Sequence, residues 1–124
     1  MSEAKHTINW FEIPVSQMDR AMKFYSAIFG VEMQKMDWQG IQMASFPGEK
    51  GFVHGALVQG QGYVPSDKGT IVYLNGSPDL STPLSKIEKA GGKVLKPKFS
   101  IGEHGFIAFF QDPEGNKVAL HSMQ

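Results

Sequence analysis

Hydrophobic and polar positions alternate near the start of the chain and then change to helical spacing. Residues 8–15 alternate with a period of two, which is typical of a half-buried strand. Ser16 is a predicted N-cap, and apolar residues recur at i, i+3, i+4 and i+7 from Met18 to Phe29. Gly30 follows, where a C-terminal glycine ends many helices. The pattern predicts a strand followed by an amphipathic helix.

A weaker copy of this pattern begins about sixty residues later. Thr70 to Leu74 is a predicted strand, and the apolar residues Leu80, Leu84 and Ile87 predict a shorter helix that Gly91-Gly92 ends. Further on, Phe106 to Gln111 and Val118 to His121 are predicted strands, joined by a tight hairpin turn at residues 112–116. Each half of the chain is therefore predicted to be β-α followed by about three strands.

Length and composition predict one domain that covers residues 1–124. Two independent domains would each be too small to bury a good core, since the chain has 124 residues. The predicted boundaries are about 7–58 for a first module, about 59–68 for a glycine-containing linker and about 69–122 for a second module. His6, near the predicted frayed end, is expected to be solvated.

Charge and residue usage exclude several classes of partner. Twelve basic residues balance twelve acidic ones, so no electrostatic footprint for nucleic acid is expected. No apolar run approaches the roughly 20 residues of a membrane span, and the start does not resemble a signal peptide. The absence of cysteine excludes disulfides and sulfur-based zinc sites. We therefore expect a cytoplasmic protein without nucleic-acid or membrane partners.

Several segments, in this order and spacing, resemble the vicinal oxygen chelate (VOC) superfamily of glyoxalase, bleomycin-resistance and dioxygenase-like domains. They are Trp10-Phe11-Glu12-Ile13-Pro14-Val15, Arg20-Ala21, Phe24-Tyr25, Phe29-Gly30, Gly91-Gly92-Lys93-Val94 and Asp112-Pro113-Glu114-Gly115-Asn116. The resemblance covers about residues 8–122. It implies an α+β fold of two βαβββ modules whose curved sheets form an open cup. In relatives the cup holds a divalent metal and a small substrate, and a second subunit often completes it.

The resemblance also implies where metal ligands would lie. The family takes one ligand from the first strand and one from the last strand of each module, which corresponds here to Trp10, Ala56, Ile71 and Ala119. None of the four offers the oxygen or imidazole donors that hard and borderline cations need. We therefore expect no metal and no other cofactor.

Strand alternation places other polar side chains on the cup face. His54 lies two residues from Ala56 and His121 two from Ala119, so both imidazoles are expected to share the concavity with Glu12. These three residues are the candidate catalytic groups, although the residues alone leave open that Glu12 accepts structural hydrogen bonds and that the histidines are exposed at strand ends. The predicted ligand-binding set is Trp10, Glu12, His54, Ala56, Ile71, Tyr73, Phe106, Phe110, Ala119 and His121.

Three functions remain compatible with the sequence. The first is a metal-independent protein that binds a small apolar or aromatic molecule, because pockets for such ligands combine apolar walls with a few polar groups. The alternative is a metal-dependent lyase, isomerase or dioxygenase of the glyoxalase type with an atypical metal set. A third is a domain whose main role is self-association or partner binding. Because exposed sheet edges are a liability, a homodimer is expected in each case.

Overall fold

The computed structural model describes residues 6–124; the first five residues, which belong to the segment compared with signal peptides, lie outside them. The first module comprises β1 (Trp10–Pro14), α1 (Met18–Phe29), β2 (Gln34–Trp38), β3 (Ile41–Ser45) and β4 (His54–Gln59). The second comprises β5 (Tyr73–Asn75), α2 (Ser81–Leu84), β6 (Lys93–Ser100), β7 (Phe106–Gln111) and β8 (Lys117–Ser122). The predicted repeat of βαβββ modules is confirmed.

The two modules have the same sheet topology. Each forms a four-stranded sheet, in the orders β1-β4-β3-β2 and β5-β8-β7-β6. In both sheets the first strand pairs in parallel with the last strand of its module, and the other pairs are antiparallel. These two mixed, curved sheets confirm the predicted α+β fold, and their edge strands are β1 and β2 in the first sheet and β5 and β6 in the second.

The start of α1 is stabilised by the second module instead of by the predicted cap. Gln17, not Ser16, occupies the N-cap position, and it makes no side-chain capping bond. The backbone N–H groups of Ser16 and Gln17 instead donate to Glu114 Oε1, at 2.7 and 2.9 Å. A carboxylate satisfies free N–H groups at a helix N-terminus and complements its positive end. The prediction was wrong because the acceptor comes from 97 residues further along the chain.

The predicted ends of helices and strands agree better with the structure in the first module than in the second. Gly30 ends α1 in the left-handed region at φ 62°, as expected for a C-terminal glycine. The second helix has only the four residues of α2, and turns rather than helix continue towards Gly91. The strand predicted at Thr70 to Leu74 is observed as β5, three residues later at its start.

One hydrophobic core serves both modules. Helix α1 packs on one face of each sheet, and its buried residues are Met18, Ala21, Phe24, Tyr25 and Ile28. The first sheet adds Ile13, Ala44 and Leu57, and the second adds Leu74, Ala108, Phe110, Val118 and Leu120. Because side chains alternate across a strand, the opposite face of each sheet points away from this core.

The predicted hairpin turn at residues 112–116 joins the second module to α1. Tyr25 Oη donates to Asp112 Oδ2 at 2.8 Å, and Asn116 Nδ2 donates to the Pro14 carbonyl at 2.7 Å. Burial raises the pKa of Asp112 and, with the neighbouring carboxylate, raises the pKa of Tyr25 well above 10. Arg20 pairs with Glu114, with 2.6 Å between Nε and Oε2. This loop therefore has a structural role.

The prediction that Phe106 and Phe110 line the cup is wrong. Phe110 is fully buried in the shared core, 5.8 Å from Phe24 between ring centroids, and Phe106 packs against the same core. The ring on the opposite face is Phe109, whose centroid lies 6.1 Å from that of Tyr73. Strand β7 is apolar on both faces, so alternation alone does not select the face that points inward.

In residues 6–124, neither helix combines the length and the apolar character that a membrane crossing requires.

Candidate ligand-binding cavity

A broad cavity of about 1180 Å³ lies along the edge strands β1 and β5. It is lined from the first module by the start of β1, by the start of β4 and by Phe46, and from the second by residues 70–75. This volume exceeds that of many small-molecule sites, and the walls are mainly apolar, as such sites usually are. The two modules thus provide one recess to which each contributes a wall.

The wall from the first module carries an aromatic ring, a carboxylate and an imidazole. In the parallel register, Trp10 pairs with His54 and Glu12 pairs with Ala56. Trp10 is 44% exposed, and its Nε1 donates to Glu12 Oε2 at 3.2 Å. This bond fixes one carboxylate oxygen and leaves the indole available to a ligand. Trp10, Glu12 and His54 thus lie on one face of the sheet, where strand alternation placed them.

The wall from the second module adds a second exposed ring. Tyr73 is 48% exposed, and Ile71 precedes it on the segment that leads into β5. Both line the cavity, as predicted, and Asn75 lines it two residues further on. Trp10 and Tyr73 therefore border one recess with aromatic surface from both modules.

The remaining predicted site residues do not line this cavity. Ala56 and Ala119 are fully buried beneath their neighbours in the sheets. The imidazole of His121 lies elsewhere, since its Nε2 is 2.7 Å from the His104 carbonyl oxygen. The donor set Glu12, His54 and His121 is thus not assembled around this recess, and among residues 6–124 no three His, Asp or Glu side chains are placed to hold a metal ion.

The residues at the family's four ligand positions do not fit a metal. Trp10 and Ile71 reach the cavity without an oxygen or imidazole donor, and the two alanines offer only methyl groups. The ionisable groups that line the recess are Glu12, His6, His54 and the phenol of Tyr73; no lysine or arginine does so among the described residues. Its fixed charge is therefore the carboxylate of Glu12.

Sequence reasoning missed part of the lining. His6, expected to be solvated, is exposed but borders the recess, as do Ile8 and Val53. Asn75 shares the parity of Tyr73, so extending the predicted strand by one residue would have found it. Phe46 contacts the core through Tyr25, at 5.5 Å between ring centroids, and it also lines the cavity. No local sequence pattern marks this position in the lining.

These features define a protein with paired βαβββ modules and a recess between them. Residues 7–120 match the model of the Glyoxalase/Bleomycin resistance protein/Dioxygenase superfamily. The chain belongs to this superfamily. It is 33% identical over 119 residues to a glyoxylase-like domain-containing protein of Didymella fabae, with 91% of each sequence covered.

Solved structures show the same fold. Glyoxalase I from Zea mays superposes with a TM-score of 0.68 and 25% identity over 93% of this chain, which corresponds to 44% of the maize chain. A glyoxalase/bleomycin resistance protein/dioxygenase family enzyme from Burkholderia phytofirmans gives a TM-score of 0.68 at 14% identity and covers 94% of this chain and 98% of its own. The chain thus spans less than half of the maize protein and nearly all of the bacterial one.

Proposed function

We propose that this chain is a metal-independent binding protein for a small apolar or aromatic molecule, held in the cavity between β1 and β5. One observation carries the proposal: exposed rings of Trp10 and Tyr73 line the same recess as the polar groups of Glu12 and His54. Aromatic surface with a few placed polar groups is the usual composition of a small-molecule site. Aromatic pairs add about 0.5–1.5 kcal/mol each beyond area burial.

The donor geometry favours this function over the metal-dependent alternative. A lyase, isomerase or dioxygenase of the glyoxalase type with a relocated metal would need Glu12, His54 and His121 around one ion. His121 instead contacts the His104 carbonyl and does not line the recess. Catalysis by Glu12 or His54 without a metal would take place in the same recess. Ligand binding is therefore tested before catalysis.

Ligand binding is testable because the two tryptophans of the chain have different positions. Trp10 lines the cavity, whereas Trp38 is 54% exposed on β2 and does not. We expect aromatic metabolites in a thermal-shift screen to stabilise the wild type, by about 2.7 kcal/mol at a hundred times the dissociation constant. Trp10→Ala should abolish the shift, and Trp38→Ala should retain it. Equal shifts in Trp10→Ala and the wild type would place the site elsewhere.

Metal independence has its own test. Protein without an affinity tag, purified without chelators, should contain substoichiometric metal, and its ligand-induced thermal shift should be the same before and after treatment with EDTA. Elemental analysis and the paired melting curves check this. Stoichiometric Ni, Zn, Fe or Mn, with the ligand response lost on chelation, would favour the metal-dependent enzyme instead.

We also propose a homodimer with twofold symmetry. Strands β1 and β5 end their sheets, and in the described part of the chain no further strand pairs with either. Met36 and Trp38 on β2 are 52% and 54% exposed, which adds apolar surface that a second copy would cover. Light scattering at micromolar concentration should give twice the mass of one chain. A mass of one chain across the whole concentration range would contradict the dimer.

A further inference from the structure

The imidazole of His54 has one buried nitrogen without a partner. Its Nε2 has no contact with solvent and no hydrogen bond from any described residue. The ring lies against Gly48, where a Cβ atom would stand 2.6 Å from Nε2. A larger residue at position 48 would therefore displace the ring, and the Cδ2–Nε2 edge is sealed by the chain itself.

This packing selects the tautomer of the neutral ring. A proton on Nε2 would be a buried N–H group without an acceptor, and orphaned donors are rarer in proteins than orphaned acceptors. The proton of neutral His54 therefore lies on Nδ1, on the ring edge that points away from Gly48. Because His54 lines the cavity, it presents a hydrogen-bond donor there.

Glu12 presents the complementary acceptor. It lies two residues along β1 from Trp10, the register partner of His54, so both side chains are on the same face of the sheet. The indole of Trp10 occupies Oε2, while Oε1 has no hydrogen bond from any described residue. His54 and Glu12 are thus diagonal neighbours on one face of the sheet, and both line the cavity together with Trp10.

We propose that His54 and Glu12 together recognise a ligand with an acceptor next to a donor on an aromatic frame: an aromatic carboxamide or lactam. The inference rests on the proposed function, since it assigns the ligand class of the same cavity. An amide offers its carbonyl to His54 Nδ1–H and its N–H to Glu12 Oε1. A carboxylate of the same shape fits poorly, because it meets the Glu12 charge and no lysine or arginine lines the recess.

A matched pair of probes tests the ligand class. We expect 2-naphthamide to bind at least about tenfold more tightly than 2-naphthoate, measured by calorimetry at neutral pH. Glu12→Gln should narrow this ratio by admitting the carboxylate. Glu103→Gln, which removes an exposed carboxylate outside the cavity, should leave it unchanged. Equal binding of both probes to the wild type would overturn the ligand class while the cavity stands. Binding of neither would overturn the cavity as well.

Substitutions at His54 test the donor directly. The amide nitrogen of Asn can take the place of Nδ1, whereas Gln places its amide near the sealed edge and Leu has none. His54→Asn should therefore keep naphthamide affinity within a few fold, and His54→Leu and His54→Gln should weaken it about tenfold. Nitrogen NMR shifts of the wild-type ring should report a proton on Nδ1. A proton on Nε2, or equal affinity in His54→Asn and His54→Leu, would overturn the role of the donor.

Discussion

Replacement of Asp112 by alanine is expected to lower the free energy of unfolding by about 3 kcal/mol or more. Asp112 is 3% exposed and accepts four hydrogen bonds, from Tyr25 Oη, Asn116 Nδ2 and the backbone N–H groups of Asn116 and Glu114. Alanine would leave these donors buried and unpaired. Urea unfolding at neutral pH, with binding of a cavity ligand as a check on the native state, measures the effect.

Two variants calibrate this result. Tyr25→Phe removes a single hydrogen bond to Asp112 and should cost about 1 kcal/mol. Asp67→Ala removes an exposed loop carboxylate that pairs with Lys68, and it should change stability by less than about 0.5 kcal/mol. A cost for Asp112→Ala no larger than for Asp67→Ala would show that the hairpin turn does not hold the modules together.

Replacement of Glu114 by alanine has the second-largest expected effect, about 2 kcal/mol at neutral pH. The Glu114 side chain is fully buried between the modules, and its carboxylate accepts from Ser16 N–H, Ser16 Oγ, Gln17 N–H and Arg20 Nε. Its loss would leave the backbone N–H groups of Ser16 and Gln17, just before α1, without these acceptors. Urea unfolding should show the loss, and Arg20→Gln, which removes one of these donors, should cost less.

The same carboxylate predicts a pH dependence. Burial by itself raises the pKa of Glu114, but the hydrogen bonds from Arg20, Gln17 and Ser16 together outweigh burial and lower the pKa. A lowered native pKa contributes stability that is present above the unfolded value, about 4.3, and is lost as the pH falls through the native value. The stability difference between wild type and Glu114→Gln should therefore shrink on acidification, and a difference that grew would contradict this assignment.

Asp112 contributes the opposite pH dependence of stability. Burial raises its pKa, and the hydrogen bonds from Asn116 and Tyr25 offset this only in part. A raised carboxyl pKa means stability that is fully present below the unfolded pKa and is lost as the pH rises through the native value. The change of stability in acid therefore combines opposite contributions from two neighbouring carboxyl groups. The comparison with Glu114→Gln isolates the contribution of Glu114.

The first module was more predictable from sequence than the second, for physical reasons. Phe11, Ile13 and Val15 mark one face of the first strand, so the pattern placed Trp10 and Glu12 on the other face, which borders the cavity. Phe106 to Gln111 is apolar on both faces, and alternation then carries no information about which face meets the core. The first segment explains why Trp10 was placed at the cavity, and the second explains why Phe106 and Phe110 were placed on the wrong face.

Long-range contacts also limit what can be predicted from the sequence. Ser16 has the local features of an N-cap, yet Glu114 accepts from the backbone N–H groups of Ser16 and Gln17 from 98 and 97 residues away. Local propensity identifies elements, whereas these contacts exist only after the modules have packed together. The sealed edge of His54 depends on Gly48, in a nearby segment with no helix or strand, where no periodic pattern marks the contact.

The two helices contribute unequally to the shared core. Helix α1 has twelve residues and α2 has four, although their modules have the same strand order. One long helix fills the interior for both sheets, so the second module does not need a long helix of its own. Substitutions on the buried face of α1 are therefore expected to disturb both sheets, whereas α2 and the residues that flank it contribute only Leu80, Pro83 and Ile87 to the buried interior. Neither half is a self-sufficient folding unit, and a chain cut near residue 62 would function only through reassociation of both pieces.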